Sequence, residues 1–155
     1  MRVLLVGHSY VRELKKLCYT KFTTENTTFY VEYLYRAGGD YCTFLEDTSL
    51  LDFAEEYQPN YVIVILAGNA INNDISPSDL YYKARKFYSL LKEKLPDSKI
   101  IAAQPELRYY KKDNQWNAPE PDEYLQRRSA FNNFLRRCKE NDAIMLIDGR
   151  LDQGE

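Results

Sequence analysis

A serine, a pair of glycines and an asparagine stand just after short apolar segments of this chain, and together they could carry out acyl transfer. They are Ser9, Gly38 with Gly39, and Asn69. A serine hydroxyl at the start of a helix can attack a carbonyl carbon, because the positive end of the helix dipole favours the developing alkoxide. A glycine N–H and an asparagine amide can donate to the resulting oxyanion, and each donor lowers the barrier by about 3 kcal/mol. Taken alone, Ser9 would be interpreted as a helix N-cap.

The elements that must position these residues alternate between strands and helices. Five apolar segments are typical of strands, and three of them are continuously apolar, as in parallel strands covered on both faces. The predicted strands are Val3–Val6, Thr28–Leu34, Tyr61–Leu66, Lys99–Ala103 and Ala143–Ile147. The order βαβαβαβαβ predicts a doubly wound parallel sheet with right-handed crossovers. Ligands bind such sheets at the carboxyl ends of the strands, where Ser9 and Asn69 stand.

Four helices are predicted between the strands, two of them with clear start and stop signals. They begin after Tyr10, after Thr43, at Pro77 and near Asp122. The third has Ser76 as its N-cap and Pro96 as its stop, because proline fits the first helical turn and ends a helix that reaches it. Arg127 and Arg128 fall largely on the polar side of the last helix, which predicts a solvated face. The segment Ala67–Ala70 is predicted to form a loop.

The composition indicates one ordinary globular domain, predicted to span residues 1–155. Of its 155 residues 45% are hydrophobic, and the formal net charge is −2, which excludes disorder and a broadly basic surface. No segment approaches the roughly 18 apolar residues of a membrane span. Cys18, Cys42 and Cys138 are widely spaced and predict reduced thiols in an intracellular, cytoplasmic protein. The motifs predict no cofactor and no metal.

Three motifs resemble the first three sequence blocks of the SGNH (GDSL-type) hydrolase family. They are VLLVGHS at Val3–Ser9, AGGD at Ala37–Asp40 and ILAGN at Ile65–Asn69. The string GHSYVR at Gly7–Arg12 is particularly similar to SGNH-like domains of animal mobile elements. The resemblance implies an α/β fold, a flavodoxin-like three-layer α/β/α sandwich with a five-stranded parallel sheet. It also implies hydrolysis of small carboxylic esters.

The resemblance also implies roles for single residues. By position in these motifs, Ser9 matches the nucleophile of the family, and Gly39 (or Gly38) and Asn69 match its oxyanion donors. The last family block, Asp-x-x-His, supplies the acid and the base, and neither this block nor the helix after it occurs in the chain. The single histidine, His8, stands where the family usually has aspartate. Neighbouring side chains at a strand end diverge, so we expect His8 to pack beside the sheet rather than to serve as the base.

Two hypotheses explain the absent base. In the first, the chain is an SGNH-type serine ester hydrolase whose base histidine lies beyond Glu155, because the chain ends just past the last strand in what resembles a cut loop. In the second, it is a non-catalytic module that binds nucleic acid or protein through the basic and aromatic loop Gln104–Pro121. A net charge of −2 favours a solvated loop at that position. Replacement of Ser9 by Ala separates the two hypotheses, because only hydrolysis needs its hydroxyl.

Overall fold

A computed structural model describes residues 1–17, 20–72, 76–105, 121–142 and 145–147 of the chain. The strands are β1 (Arg2–Gly7), β2 (Lys21–Thr23), β3 (Thr28–Tyr35), β4 (Tyr61–Ile65), β5 (Lys99–Ala103) and β6 (Met145–Ile147). The helices are α1 (Ser9–Lys16), α2 (Tyr41–Glu46), α3 (Asp52–Tyr57), α4 (Ala67–Asn72), α5 (Pro77–Lys94) and α6 (Pro121–Asp142). A 3-10 turn at Thr48–Leu51 leads into α3.

The strands form one sheet in the order β2-β3-β1-β4-β5-β6. Five of them pair in parallel, which confirms the predicted strands, and their order is that of a flavodoxin-like sheet. The sequence pattern does not predict the edge strand β2, which pairs antiparallel with β3. Lys21–Thr23 is only 3 residues long and exposed throughout, so it carries no apolar pattern that would mark it as a strand.

The direction of each crossover decides which face of the sheet a helix covers. The connections from β3 to β4, from β4 to β5 and from β5 to β6 all move in the same direction across the sheet. Because such crossovers are right-handed, helices α2 to α6 lie on one side of the sheet, which we call the closed face. The connection from β1 to β3 steps the opposite way and places α1 on the other side, which we call the open face. The predicted three layers are therefore present, but the outer layers are unequal in the part of the chain that the structure describes.

The closed face carries the hydrophobic core. Its strand residues are buried: Leu4, Val6, Val62, Val64, Ile100 and Ala102. The Phe87 ring of α5 packs on the rings of Tyr41 and Phe44 in α2, with centroids 5.4 Å and 5.9 Å away. The hydroxyls of Tyr41 and Tyr88 lie 3.1 Å apart inside this core. Burial raises the pKa of both phenols, so each stays protonated and able to donate.

The two long helices occur where the sequence predicts them. The Ser76 hydroxyl accepts the Asp79 N–H at 3.3 Å, and α5 begins between them at Pro77. The last helix begins at Pro121, one residue before its predicted start. The short helices α3 and α4 are not predicted. Among the helices that the structure describes, none is long and apolar enough to cross a membrane.

Candidate active site

The end of β1 lies between the ends of β3 and β4, and the segments that follow these three strands carry the predicted site residues. In the sheet register, Gly7 of β1 aligns with Tyr35 of β3 on one side and with Ile65 of β4 on the other. The Gly7 carbonyl accepts the Arg36 N–H at 3.1 Å, and the His8 N–H donates to the Ile65 carbonyl at 3.3 Å. The segments that contain Ser9, the two glycines and Asn69 therefore leave the same edge of the sheet side by side.

Gly7 permits this close approach because it has no side chain. A Cβ at this position would lie 2.4 Å from the Ile65 carbonyl oxygen and 2.6 Å from a methyl carbon of Val11 in α1. Both distances are far below van der Waals contact. A larger residue would push β4 and α1 away from the end of β1, which would separate the segments that start there.

Ser9 is the first residue of α1, as the acyl-transfer hypothesis requires, but it is not the helix cap. The N-cap is His8, whose Nδ1 accepts the Tyr10 N–H at 3.1 Å. The interpretation of Ser9 as an N-cap is therefore wrong, because the preceding histidine already performs that task. The Ser9 residue is half-buried at the positive end of the α1 dipole, where negative charge on its oxygen would be favoured.

His8 is poorly placed to act as the base for Ser9. The residue is 2% exposed, and its Nδ1 holds the Tyr10 N–H, so this nitrogen cannot accept the Ser9 proton without losing the cap. The histidine therefore packs at the end of the sheet, as the sequence predicts. It supplies local structure to α1 by capping the first turn of the helix.

The glycine pair forms a tight turn after β3. Gly38 has a φ of +71°, a conformation that favours glycine, and the Gly39 N–H donates to the Arg36 carbonyl at 2.9 Å. A Cβ on Gly39 would lie 2.9 Å from that carbonyl oxygen. Gly38 thus adopts the positive φ of this turn, and Gly39 leaves room for the Arg36 carbonyl group. In this turn the Gly39 N–H already has an acceptor, so an oxyanion would have to share that donor or displace the Arg36 carbonyl.

Asp40 fixes the start of α2 directly after this turn. Its carboxylate accepts the Thr43 N–H at 3.2 Å, and the Asp40 N–H donates to the Thr43 hydroxyl at 3.1 Å, which forms a capping box. Cys42, in the first turn of α2, is a second possible nucleophile near the site. Burial raises the pKa of the Cys42 thiol, and the Asp40 carboxylate adds to the rise, so the reactive thiolate is disfavoured.

Asn69 lies within α4 rather than in the predicted loop. Helix α4 follows the end of β4 almost at once, and the Ala70 N–H donates to the Leu66 carbonyl at 3.2 Å. Ala67, Ala70 and Ile71 are buried, so this short helix is held by the core. The prediction of a loop from Ala67 to Ala70 is wrong because glycine and asparagine, common in loops, here occupy a helix stabilised by its apolar neighbours.

Two arginines of α6 support this edge of the sheet. Arg127 donates to the Ile71 carbonyl of α4 at 3.3 Å and to the Glu123 carboxylate at 2.7 Å. Arg128 donates to the Pro105 carbonyl, just past β5, at 2.7 Å. The predicted solvated face is therefore wrong for these two residues, because both guanidinium groups bind backbone carbonyls. Beside Arg127, residues of α4, α5 and α6 line a partly open, mostly apolar pocket of about 200 Å³.

Several predicted features fall outside the described residues. They are Cys18, most of the Gln104–Pro121 loop and the segment Asp148–Glu155. The second hypothesis, a binding module, depends on that loop and stays an alternative prediction. Of the other cysteines, Cys138 is buried in the core and Cys42 is half-buried. Among the residues with described positions, no cluster of histidine, cysteine or acidic side chains could hold a metal ion.

Several solved structures align with most of this chain. The chain aligns with a protein described as a GDSL-like lipase from Parabacteroides merdae at a TM-score of 0.66 and 13% identity, over 94% of this chain and 76% of that one. It aligns with TesA at a TM-score of 0.64 and 16% identity, over 94% and 77% of the two chains. For the acetyl xylan esterase AlAXEase the TM-score is 0.64 and the identity 12%, over 98% and 79%.

These comparisons show that the chain has the SGNH hydrolase fold. No protein-family model matches its sequence, and a search of curated protein sequences gives no match either. Similarity at 12% to 16% identity establishes the fold only. The activity therefore has to be argued from the residues of the site. The resemblance of GHSYVR to domains of animal mobile elements stays a prediction.

Proposed function

We propose that this chain is the SGNH-type domain of a serine ester hydrolase that acts on small carboxylic esters. The observation that carries the proposal is the junction at Gly7, from which the Ser9, glycine and Asn69 segments leave the sheet side by side. The position of Ser9 at the first turn of α1 supports its role as nucleophile. Two of the structural neighbours are described as a GDSL-like lipase and an acetyl xylan esterase, which agrees with this reaction class.

The proposed reaction proceeds through an acyl-enzyme. The Ser9 oxygen attacks the ester carbonyl carbon, and its proton passes to a general base. The oxyanion accepts from the Ser9 N–H, the Gly39 N–H and the Asn69 amide. Collapse of this intermediate expels the alcohol, which takes the proton from the base, and water then hydrolyses the acyl-serine by the same steps. Gly39 joins this set when the oxyanion shares its N–H with the Arg36 carbonyl.

The general base is a histidine outside residues 1–155 in this proposal. The only histidine of the chain is His8, and its Nδ1 caps α1. A missing general base lowers a serine-dependent rate by about 10²–10⁴-fold. A longer form of the protein that carries an Asp-x-x-His segment should therefore hydrolyse esters faster than residues 1–155 by about that factor.

Labelling with a fluorophosphonate tests the proposal, because this reagent phosphonylates an activated serine. In the longer form we expect labelling of Ser9 and hydrolysis of p-nitrophenyl acetate, both abolished by Ser9→Ala. Ser89→Ala is the matched control, because Ser89 is exposed on α5 and should leave both signals unchanged. Asn69→Ala should lower kcat by about 10²–10³-fold. Folded protein whose Ser9 resists the reagent, or labelling that survives Ser9→Ala, would contradict the proposal.

A further inference from the structure

Helix α4 carries the proposed oxyanion donor Asn69, and this helix is too short to be stable by itself. It has 6 residues, and an isolated helix of fewer than about 12 residues is marginal in water. Ala67, Ala70 and Ile71 are buried and hold α4 on the core. Apolar packing has no preferred direction, so it allows a short helix to turn or slide slightly while its side chains stay buried. A directional contact is what fixes such a helix in one position.

Arg127 of α6 makes such a contact at the carbonyl end of α4. The last carbonyl groups of a helix have no partner within the helix itself. The Ile71 carbonyl is one of these groups, and it accepts a hydrogen bond from the Arg127 guanidinium at 3.3 Å. A hydrogen bond from a cation is roughly twice as strong as one between neutral groups. Because Ile71 is the second residue after Asn69, this bond acts within one helical turn of the proposed oxyanion donor.

Helix α6 holds the Arg127 guanidinium in place. The helix is anchored in the core by Tyr124 and Phe131, which stand before and after Arg127 in the chain and are both 0% exposed. A second nitrogen of the guanidinium donates to the Glu123 carboxylate, one turn earlier on α6, at 2.7 Å. The planar guanidinium can make both bonds at once, because its N–H groups point in fixed and different directions. The half-buried Arg127 side chain therefore connects α4 with a helix that is itself firmly packed.

Two other arginines of α6 allow a comparison with Arg127. Arg128 is the next residue, and its guanidinium donates to the Pro105 carbonyl, so it holds the segment after β5. Arg136 donates to the Asn133 side chain within α6 itself, at 2.9 Å. Arg127 differs from both because its bond to a backbone carbonyl reaches the helix that carries the proposed oxyanion donor.

We propose that Arg127 is a positioning residue for ester hydrolysis, because it holds α4 where the Asn69 amide meets the oxyanion. This inference rests on the proposed function. An oxyanion donor is effective when it is already in place as the negative charge develops, because a mobile donor has to be reoriented first. A displacement of about 1 Å in a site can lower a rate by about 10²-fold. Arg127 thus acts on the transition state through Asn69 and takes no part in the bond changes.

A double-mutant cycle tests this role in the longer form that carries the Asp-x-x-His segment. Arg127→Gln should lower kcat for p-nitrophenyl acetate by about 10–10²-fold. KM should change by less than about twofold, because the oxyanion forms only in the transition state. In the Asn69→Ala background, Arg127→Gln should lower kcat by less than about twofold further, because the donor that it positions is already gone. Arg136→Gln is the matched control on the same helix and should leave kcat unchanged in both backgrounds.

Amide hydrogen exchange measures the same contact without any reaction. The Ala70 N–H donates to the Leu66 carbonyl at the start of α4, so its exchange with solvent reports the opening of this helix. Loss of the bond from Arg127 should speed exchange of the Ala70 amide by about tenfold in Arg127→Gln. Arg136→Gln should leave this rate at the wild-type value. Circular dichroism confirms that each variant is folded.

The outcomes separate failure of this inference from failure of the proposed function. If the longer form shows no hydrolysis that depends on Ser9, the proposed function is wrong, and the role of Arg127 in it is wrong as well. If that hydrolysis is present but Arg127→Gln leaves kcat unchanged, or lowers it equally with and without Asn69, only the role of Arg127 is overturned. A rise in KM alone, or exchange of the Ala70 amide at the wild-type rate in Arg127→Gln, would overturn it too.

Discussion

Leu4 and Leu5 are neighbours on β1 and the same type of residue, yet they lie in different environments. Leu4 is 0% exposed and belongs to the core of the closed face. Leu5 points to the open face, is half-buried and lines an apolar groove beside α1. Val62 and Ile63 on β4 differ in the same way. The two faces of one sheet therefore have similar residues but different cover.

The cause of this difference is the path of the chain rather than the hydrophobicity of the strands. Three successive crossovers step the same way and bring their helices to the closed face, while one short crossover brings α1 to the open face. The strands are apolar on both faces, as strands of a fully covered parallel sheet are. The strands therefore have apolar residues on both faces of the sheet, while the helices that the structure describes lie mainly on the closed face.

The sharpest test of the comparison is a matched pair of substitutions on β1. Leu4→Ala should lower the free energy of unfolding by about 3–5 kcal/mol, because it removes buried contacts and leaves a cavity in a packed core. Leu5→Ala should cost about 1 kcal/mol, because part of its side chain is already in contact with solvent. Urea denaturation followed by circular dichroism measures both values. Equal costs for the two variants would mean that the open face is covered in solution.

Gly7→Ala should have the next largest effect, because Gly7 lies where the two faces and the candidate site meet. The added Cβ would clash with the Ile65 carbonyl oxygen of β4 and with Val11 of α1. Overpacking of this kind costs about 1–3 kcal/mol. Displacement of α1 would also expose more of the groove, so binding of the dye ANS should increase.

Gly38→Ala is the control for Gly7→Ala. A Cβ at Gly38 meets nothing within 4 Å, so its cost comes from its φ of +71° alone. That cost is about 1 kcal/mol, and ANS binding should stay at the wild-type level. If Gly7→Ala lowers the free energy of unfolding no more than Gly38→Ala does, the packing between β1, β4 and α1 is looser in solution than in the structure.

The sequence predicts the repeating parts of the fold because they carry a periodic signal. Apolar runs reveal the five parallel strands, and a capping serine with a proline reveals α5. The edge strand β2 is missed because it is short and exposed, and α4 because its stability comes from tertiary burial rather than from helix propensity. Neither feature has a local pattern that could be recognised in the sequence.

The candidate site shows the same limit at the level of single residues. The order of the motifs predicts that Ser9, Gly39 and Asn69 leave one edge of the sheet, and parallel topology makes that prediction possible. The cap on α1 is His8 rather than Ser9, and the Gly39 N–H bonds within its own turn. Which of several neighbouring polar groups takes a given hydrogen bond depends on local angles, which spacing along the chain does not determine.

The smallest predicted effect concerns the buried tyrosine pair of the closed face. Burial raises the pKa of Tyr41 and Tyr88 above their ordinary value of about 10. In the unfolded chain both phenols ionise near pH 10, while in the folded chain they stay protonated. Stability from this pair is therefore fully present below about pH 10 and is lost as the pH rises toward the folded pKa values. Urea titrations at increasing pH should show this decline.

Removal of the hydroxyls distinguishes the pair from ordinary surface tyrosines. Tyr88→Phe should cost about 1 kcal/mol at neutral pH, because it leaves the buried Tyr41 hydroxyl without this partner. Tyr41→Phe/Tyr88→Phe should be nearly neutral at pH 7 and should flatten the alkaline decline, because both titrating groups are gone. Tyr82→Phe, at an exposed position on α5, should leave the decline unchanged. A double variant that loses stability above pH 10 as steeply as the wild type would place the alkaline sensitivity outside the closed core.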